Sequence, residues 1–381
     1  MKNKTQQIMN SMTIMFTSVI LMMCVLASLP VKAESTSSKK VLMVVSGYGQ
    51  QQGEKTPGYE FDEFSKAYLV FKANGLAVDV ASPKGGKVEA DKYDAKAQYN
   101  AKVLADNAIM SKLHNTLAMQ SLEAKNYAAV FVVGGKGAMF DLPKDKALQR
   151  LIADIYQQQG SVAAVCHGPA ALVDVKLNDG SYLVANKAIN GFTNTEEQLF
   201  GQKWLAKFDF KLEDKLIERG GKFQASDIML SHVAVDGRLI TGQNPTSTTG
   251  VATALVASLG MEPVQLAPSQ DDKTLAQVAK LLAGDDSVIA NLQANEQDYH
   301  LALVGMYGFY YLKIAQSTEQ TEHALNLMMV AKPAIKSPML DLKIASAQQK
   351  LGRNALAKET INALLETKPD YQPALEMLKT L

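Results

Sequence analysis

Residues 41–45 (Val-Leu-Met-Val-Val) and 128–133 (Ala-Ala-Val-Phe-Val-Val) are apolar without interruption, the pattern of strands buried on both faces of a parallel sheet. Residues 76–81 and 161–165 form two further short runs, each entered from a Gly, and Leu239-Ile240-Thr241 runs into Gly242-Gln243-Asn244-Pro245. Between these runs the apolar positions recur at helical spacing. Residues 60–73 place Phe61, Phe64, Tyr68 and Phe71 on one side, and Gly75 follows as a stop. Residues 91–125 are polar and read as mostly helical. Helices are also expected over 148–158, from 195 onward and over 248–259. Residues 183–190 form a further run, ahead of Gly191-Phe192-Thr193-Asn194. Strands alternating with helices over about 220 residues predict an α/β domain, a doubly wound parallel sheet of flavodoxin-like type. Such folds build their sites at the carboxyl ends of strands. Gly47, Gly134-Gly135 and Cys166 all fall there.

The texture changes after Glu262. Residues 263–272 carry Pro263 and Pro268 with few large apolar residues, and read as a linker. From 273 to 381 the patterns are helical and no strand is expected, which predicts a small all-α domain. Gly352, Ala357, Ile361, Leu364 and Pro369 have the spacing of the second half of a tetratricopeptide repeat, with Ala345 as the small residue of the first helix. Ala324 precedes Ala357 by 33 residues, and Lys332-Pro333 precedes Lys368-Pro369 by 36. Asp341 stands where the repeat usually has an aromatic residue. A plain helical bundle is the other reading. Either kind of domain would dock onto something: the first domain, a second copy of the chain, or a peptide.

Lys2 and Lys4 precede an apolar stretch over 12–29, and Val31-Lys32-Ala33 offers small residues for cleavage. Residues 1–33 therefore read as a secretory signal peptide cut after Ala33, with an uncleaved anchor helix as the alternative. Leu21-Met22-Met23 before Cys24 lacks the small residues of a lipoprotein signal. Residues 34–39 are a polar, Ser-rich leader, expected to be disordered. The expected location is a bacterial periplasm. Of the two cysteines in the chain, the mature protein keeps Cys166 alone, so it has no internal disulfide. A net charge of +1 gives no case for a nucleic-acid partner. His114, His232, His300 and His323 lack ligand spacing, and no metal site is expected.

The chemistry converges on Cys166. An apolar run ends at a thiol, Gly168-Pro169 turns the chain, and Ala170-Ala171-Leu172-Val173 reads as the start of a helix. A strand, tight turn and helix with a nucleophile at the tip form an elbow. Amides of a helix N-terminus and the His167 imidazole would favour the thiolate there. The competing reading is a cysteine buried at a strand end.

Six ordered segments then resemble one family. They are Tyr59-Glu60-Phe61-Asp62-Glu63-Phe64, Val78 to Gly86, Gly134-Gly135-Lys136-Gly137-Ala138-Met139-Phe140-Asp141-Leu142-Pro143, Val165-Cys166-His167-Gly168-Pro169, Gly191 to Glu197, and Asp236 to Pro245. Together they resemble the DJ-1/PfpI superfamily, within the class I glutamine amidotransferase-like fold, in the branch of heat-shock chaperones and glutathione-independent glyoxalases. The resemblance covers residues 40–262, not the helical tail. It implies Cys166 as nucleophile, His167 as its partner, Glu197 as the acid that orients His167, and Glu63 as the carboxyl beside the thiol. It implies an oxyanion site from the amides of Gly135 and His167. Lys136 departs from the pattern, since relatives in this branch often carry His there. The implied reaction is conversion of a small carbonyl substrate, methylglyoxal, to lactate, and it requires no metal or organic cofactor. Two rival readings stay open: a thiol hydrolase (deglycase, peptidase or amidase), and a stress-related holdase with a redox-sensing cysteine. Family members are commonly dimeric, which makes a homodimer an expectation, and the helical tail is a surface for a peptide or protein partner.

Overall fold

The computed structural model describes residues 39–381. The signal peptide, its alternative as an anchor, and most of the leader lie outside the described residues. Among those described, no helix is long and apolar enough to cross a membrane.

The uninterrupted apolar runs form the centre of the sheet. Strands β1 (Lys40–Val44), β2 (Ala77–Ser82), β3 (Lys84–Gly86), β4 (Thr116–Ala118), β5 (Ala129–Val132), β6 (Ser161–Val165), β9 (Val233–Asp236) and β10 (Leu239–Gly242) make one sheet of eight, in the order β3-β4-β2-β1-β5-β6-β10-β9. β7 (Ala188–Ile189) and β8 (Lys222–Phe223) form a separate pair. The six middle strands of the large sheet run parallel. Each edge strand, β3 and β9, is antiparallel to its neighbour. Helices cover both faces, so β1, β5 and β6 read as continuous hydrophobic runs rather than alternating ones.

Helix α1 (Phe61–Ala73) buries the aromatic side expected of it: Phe71 meets Phe131 of β5 edge-on at 5.5 Å. Helices α2 (Gln98–Leu104) and α3 (Asn107–His114) follow. Helix α4 (Lys146–Gln157) starts at Asp145, whose side chain accepts from Ala147 N and Leu148 N, two amides that a helix start leaves unpaired. Helices α5 (Asn194–Phe200), α6 (Leu212–Glu218) and α7 (Thr248–Ser258) also belong to the α/β part, with single turns of helix at Ala138–Asp141 and Gln202–Leu205. Asp79, on β2, pairs with Lys40 and Lys112 and receives the Tyr127 hydroxyl, a structural role.

Several expectations need correction. Residues 91–125 hold two short helices and then β4, which pairs with β2. The Pro83-Lys84-Gly85-Gly86 stretch does not simply end a strand, because Lys84–Gly86 folds back onto β4. Of residues 183–190 only Ala188–Ile189 is strand. The expected helix after Cys166 is a single 3-10 segment, Gly168–Leu172. Such strands and turns of two to five residues are fixed by distant partners, and their local pattern is too short to announce them.

Beyond residue 262 only helices follow: α8 (Gln270–Leu282), α9 (Ser287–Ala294), α10 (Leu301–Ile314), α11 (Thr318–Ala331), α12 (Pro338–Lys350), α13 (Asn354–Thr367) and α14 (Gln372–Leu378). α8 begins inside the stretch read as a linker, because Ser269 caps it through Asp272 N. Gly308 lets α10 approach α11 closely, since a Cβ there would lie 2.8 Å from Ala324 O. Ala345, Ala357, Ile361 and Leu364, the residues singled out by spacing, are buried together with Ala374 between α12, α13 and α14. Gly352, in the α12–α13 turn, has φ +73°.

Candidate active site

Cys166 stands one residue past β6 with φ +59°, a left-handed conformation costing on the order of 1 kcal/mol for a residue with a Cβ. Two bonds hold it: Cys166 N donates to Gly242 O and Phe192 N donates to Cys166 O, each at 2.8 Å. The turn requires glycine nearby. A Cβ on Gly168 would lie 2.5 Å from Val132 O, and one on Gly134 would lie 2.8 Å from the Cys166 Cβ. The thiol is only 4% exposed.

The 134–135 loop, at the end of β5, supplies amides to the site. Gly134 N donates to Glu63 Oε2 at 2.7 Å. Gly135, at φ +89°, turns its amide toward the Cys166 sulfur.

Glu63 comes from the first turn of α1 and is fully buried. Its Oε1 is buried without a hydrogen-bond partner, and the Cys166 thiol lies beside the carboxyl. Burial first, and the Glu60 carboxyl second, hold Glu63 well above the usual carboxylate range. Burial first, and the Glu63 charge second, push the Cys166 thiol up as well. The expected pull toward the thiolate is therefore opposed by burial and by Glu63. The turn brings no long helix to stabilise the anion, and a buried carboxyl faces it, which pushes the thiol up rather than down. The half-buried Lys136 ammonium and the Gly135 amide act in the opposite direction on the thiol. Glu60 is raised to about 7, by burial and then by Asp62 and Asp91, against the pull of Lys136.

His167 is 1% exposed. Its Nε2 lies 2.7 Å from Glu197 Oε2, and its Nδ1 lies 3.3 Å from Cys166 Sγ. A carboxylate only accepts, so Nε2 carries the proton and Nδ1 turns its lone pair to the thiol. Phe192 packs on the imidazole with centroids 4.5 Å apart. Phe208 lies 6.2 Å from it, Phe140 lies 5.3 Å from Phe208, and Tyr48 stacks on Phe140 at 4.6 Å. A row of rings thus runs from the surface at Tyr48 to the imidazole.

The structure brings Cys166, His167, Glu63, Glu197 and Gly135 to one place. Sequence reasoning passed over Glu196, which is buried beside Glu197 and holds the start of α5. Its Oε2 accepts from Thr193 N and Thr193 Oγ1, and its Oε1 accepts from Met229 N, Gln243 Nε2 and Asn244 Nδ2. The signal was present as Thr193-x-x-Glu196, a capping box. Among the described residues no group of three or more His, Cys, Asp or Glu side chains is arranged to hold a metal ion.

The profile of the DJ-1/PfpI family matches residues 55–258. The chain belongs to the DJ-1/PfpI family. The glutathione-independent glyoxalase hsp3101 of Schizosaccharomyces pombe is 32% identical over 243 residues, covering 58% of this chain and 96% of that protein. The glutathione-independent glyoxalase HSP31 of Saccharomyces cerevisiae is 34% identical over 236 residues, covering 58% and 98%. Among solved structures, the Rapid Encystment Protein 24 KDa of Francisella tularensis superposes with a TM-score of 0.55 at 32% identity, covering 58% of this chain and 99% of that one. The DJ-1/PfpI match ends before the helical region begins.

Proposed function

We propose that the protein is a glutathione-independent glyoxalase that converts methylglyoxal and water to lactate. Cys166 is the nucleophile and Glu63 carries the protons. The observation that carries this reading is the buried Glu63 carboxyl, held by Gly134 N beside the thiol. The names of two relatives above 30% identity support the same chemistry.

Sulfur attacks the aldehyde carbon. The S–C bond forms, the C=O π bond opens, and its oxygen takes the thiol proton by way of His167 Nδ1, giving a hemithioacetal. The Gly135 amide, which faces the sulfur, is placed to donate to that oxygen. Glu63 then moves the aldehyde-carbon proton to the neighbouring keto oxygen, forming an enediol. It next moves the proton of the first oxygen to the second carbon, leaving a thioester. A carboxyl raised by burial can both take and return protons near neutral pH. Water cleaves the thioester, releasing lactate and restoring the thiol. The electrons stay within the substrate, because one carbon is oxidised as its neighbour is reduced.

A thiol hydrolase is the second reading. The Cys166–His167–Glu197 relay of 3.3 and 2.7 Å favours it, because the same relay serves acyl transfer. Lactate formation from methylglyoxal without glutathione separates the two, since a hydrolase needs no proton carrier on the second face of the thiol. Export belongs to the same proposal, supported by Lys2, Lys4 and the apolar stretch over 12–29. The mass of the protein recovered from a periplasmic extract tests it, with loss of residues 1–33 expected.

A further inference from the structure

Helix α5, which carries Glu197, is seven residues long. A helix this short does not hold itself in water, so its position is set by its neighbours. Two sets of neighbours grip it.

The first set acts through Glu196. Its Oε1 receives Met229 N at 2.7 Å, alongside the amides of Gln243 and Asn244. Met229 has φ +55° and sits between Ile228 and Leu230. Those two side chains are buried in the core of the helical region, in one cluster with Val278 of α8 and Val304, Tyr307 and Tyr311 of α10. The Tyr311 hydroxyl also lies 3.4 Å from Asp227 Oδ1. The C-terminal helices therefore seize the turn on both sides of Met229, and the turn presents its amide to Glu196.

The second set acts at the other end of α5. Leu199 packs against the same helical cluster. Phe200 meets Tyr310 of α10 edge-on, with centroids 4.8 Å apart at 62°. Glu197 lies between these two anchor points.

We propose that the C-terminal helical region is a positioning element of the site: α10, through Tyr310 on Phe200 and through the core that holds Ile228 and Leu230, fixes α5 and with it the Glu197 carboxylate on His167. This rests on the reading of His167–Glu197 as the partner of Cys166. The helices that do this lie outside the stretch matched by the family profile. The region is thus part of the enzyme's working structure. Tyr310 is a positioning residue that touches neither substrate nor thiol.

The test uses the full chain with Tyr310→Ala and Tyr310→Phe. Three readouts are taken: lactate production, the rate of Cys166 alkylation by iodoacetamide followed by peptide mass, and the melting temperature. Tyr310→Ala should lower kcat roughly tenfold with KM within about twofold, the scale expected when a catalytic group is misplaced by a distant change. It should slow Cys166 alkylation as well. Tyr310→Phe keeps the ring and should restore both. If Tyr310→Ala does not fold, Phe200→Leu carries the same test from the other side of the contact. Unchanged alkylation and unchanged kcat in a folded Tyr310→Ala protein overturn the proposal. Slowed alkylation in Tyr310→Ala, with no lactate from the wild type, keeps the positioning role and removes the glyoxalase reading instead.

Discussion

Gly201 makes room for the Glu197 carboxyl: a Cβ on residue 201 would fall directly on Glu197 Oε1. The residue sits at the end of α5, and its N–H donates to Glu197 O at 2.7 Å. Its role is spatial, because φ is −103° and needs no glycine. Gly201→Ala should push the carboxylate off His167 Nε2. Lactate turnover should fall roughly tenfold or more, with slower alkylation of Cys166 and little change in melting temperature.

Glu196 is the structural neighbour of that orienting acid, and its loss should be read in stability. Glu196→Ala removes a buried carboxylate with five donors on it, leaves Met229 N–H without its side-chain acceptor, and takes from Gln243 Nε2 and Asn244 Nδ2 one of the acceptors each now has. The expected cost is about 3 kcal/mol or more, measured by chemical denaturation. A cost below about 1 kcal/mol would mean that water replaces the carboxylate and the anchor is weak.

Glu60 sets a pH dependence of stability. Its folded value is raised from the ordinary 4.5 to about 7. Between those two values the folded protein keeps a proton that the unfolded chain has released. The unfolded state then binds fewer protons, so this group lowers stability as pH rises through the window. Denaturation midpoints measured from pH 4.5 to 7.5 should fall less steeply in Glu60→Gln than in wild type. Equal slopes would show that Glu60 is ordinary.

Glu63 lies beside the Cys166 thiol, and activity and thiol reactivity should part company when it is changed. The Glu63 charge is one of the causes holding the thiol up. Glu63→Gln removes that charge, so the midpoint of Cys166 alkylation against pH should move down. Lactate formation should be lost all the same, since no carboxyl remains to carry the protons. An upward shift would contradict the placement of the charge beside the thiol.

Much of the site was legible in the sequence because its signals are local. The uninterrupted runs at β1, β5 and β6 announce buried parallel strands, and the break at Cys166-His167-Gly168 announces the turn. Glu196 and Glu197 show where that legibility stops. The capping-box spacing marks Glu196 as the seal of the helix start, but its reach to Met229, Gln243 and Asn244 is set by the fold alone. Gln243 and Asn244 were visible as a motif, yet their target is Glu196, some 47 residues away. The Cys166 thiol shows the same limit. The turn geometry could be read locally, but Glu63 approaches from α1, and its burial reverses the sign of the effect. The tail read correctly as helices, while its grip on Met229 and Phe200 depends on contacts that no local pattern encodes.

The central claim is that a single thiol and a buried carboxyl isomerise an α-ketoaldehyde. The most direct test is lactate production from methylglyoxal by freshly reduced protein, without glutathione, comparing wild type with Cys166→Ala and Glu63→Gln. Turnover in the wild type that both substitutions abolish is the predicted result. No lactate from folded wild type, or lactate that persists in Glu63→Gln, would contradict it.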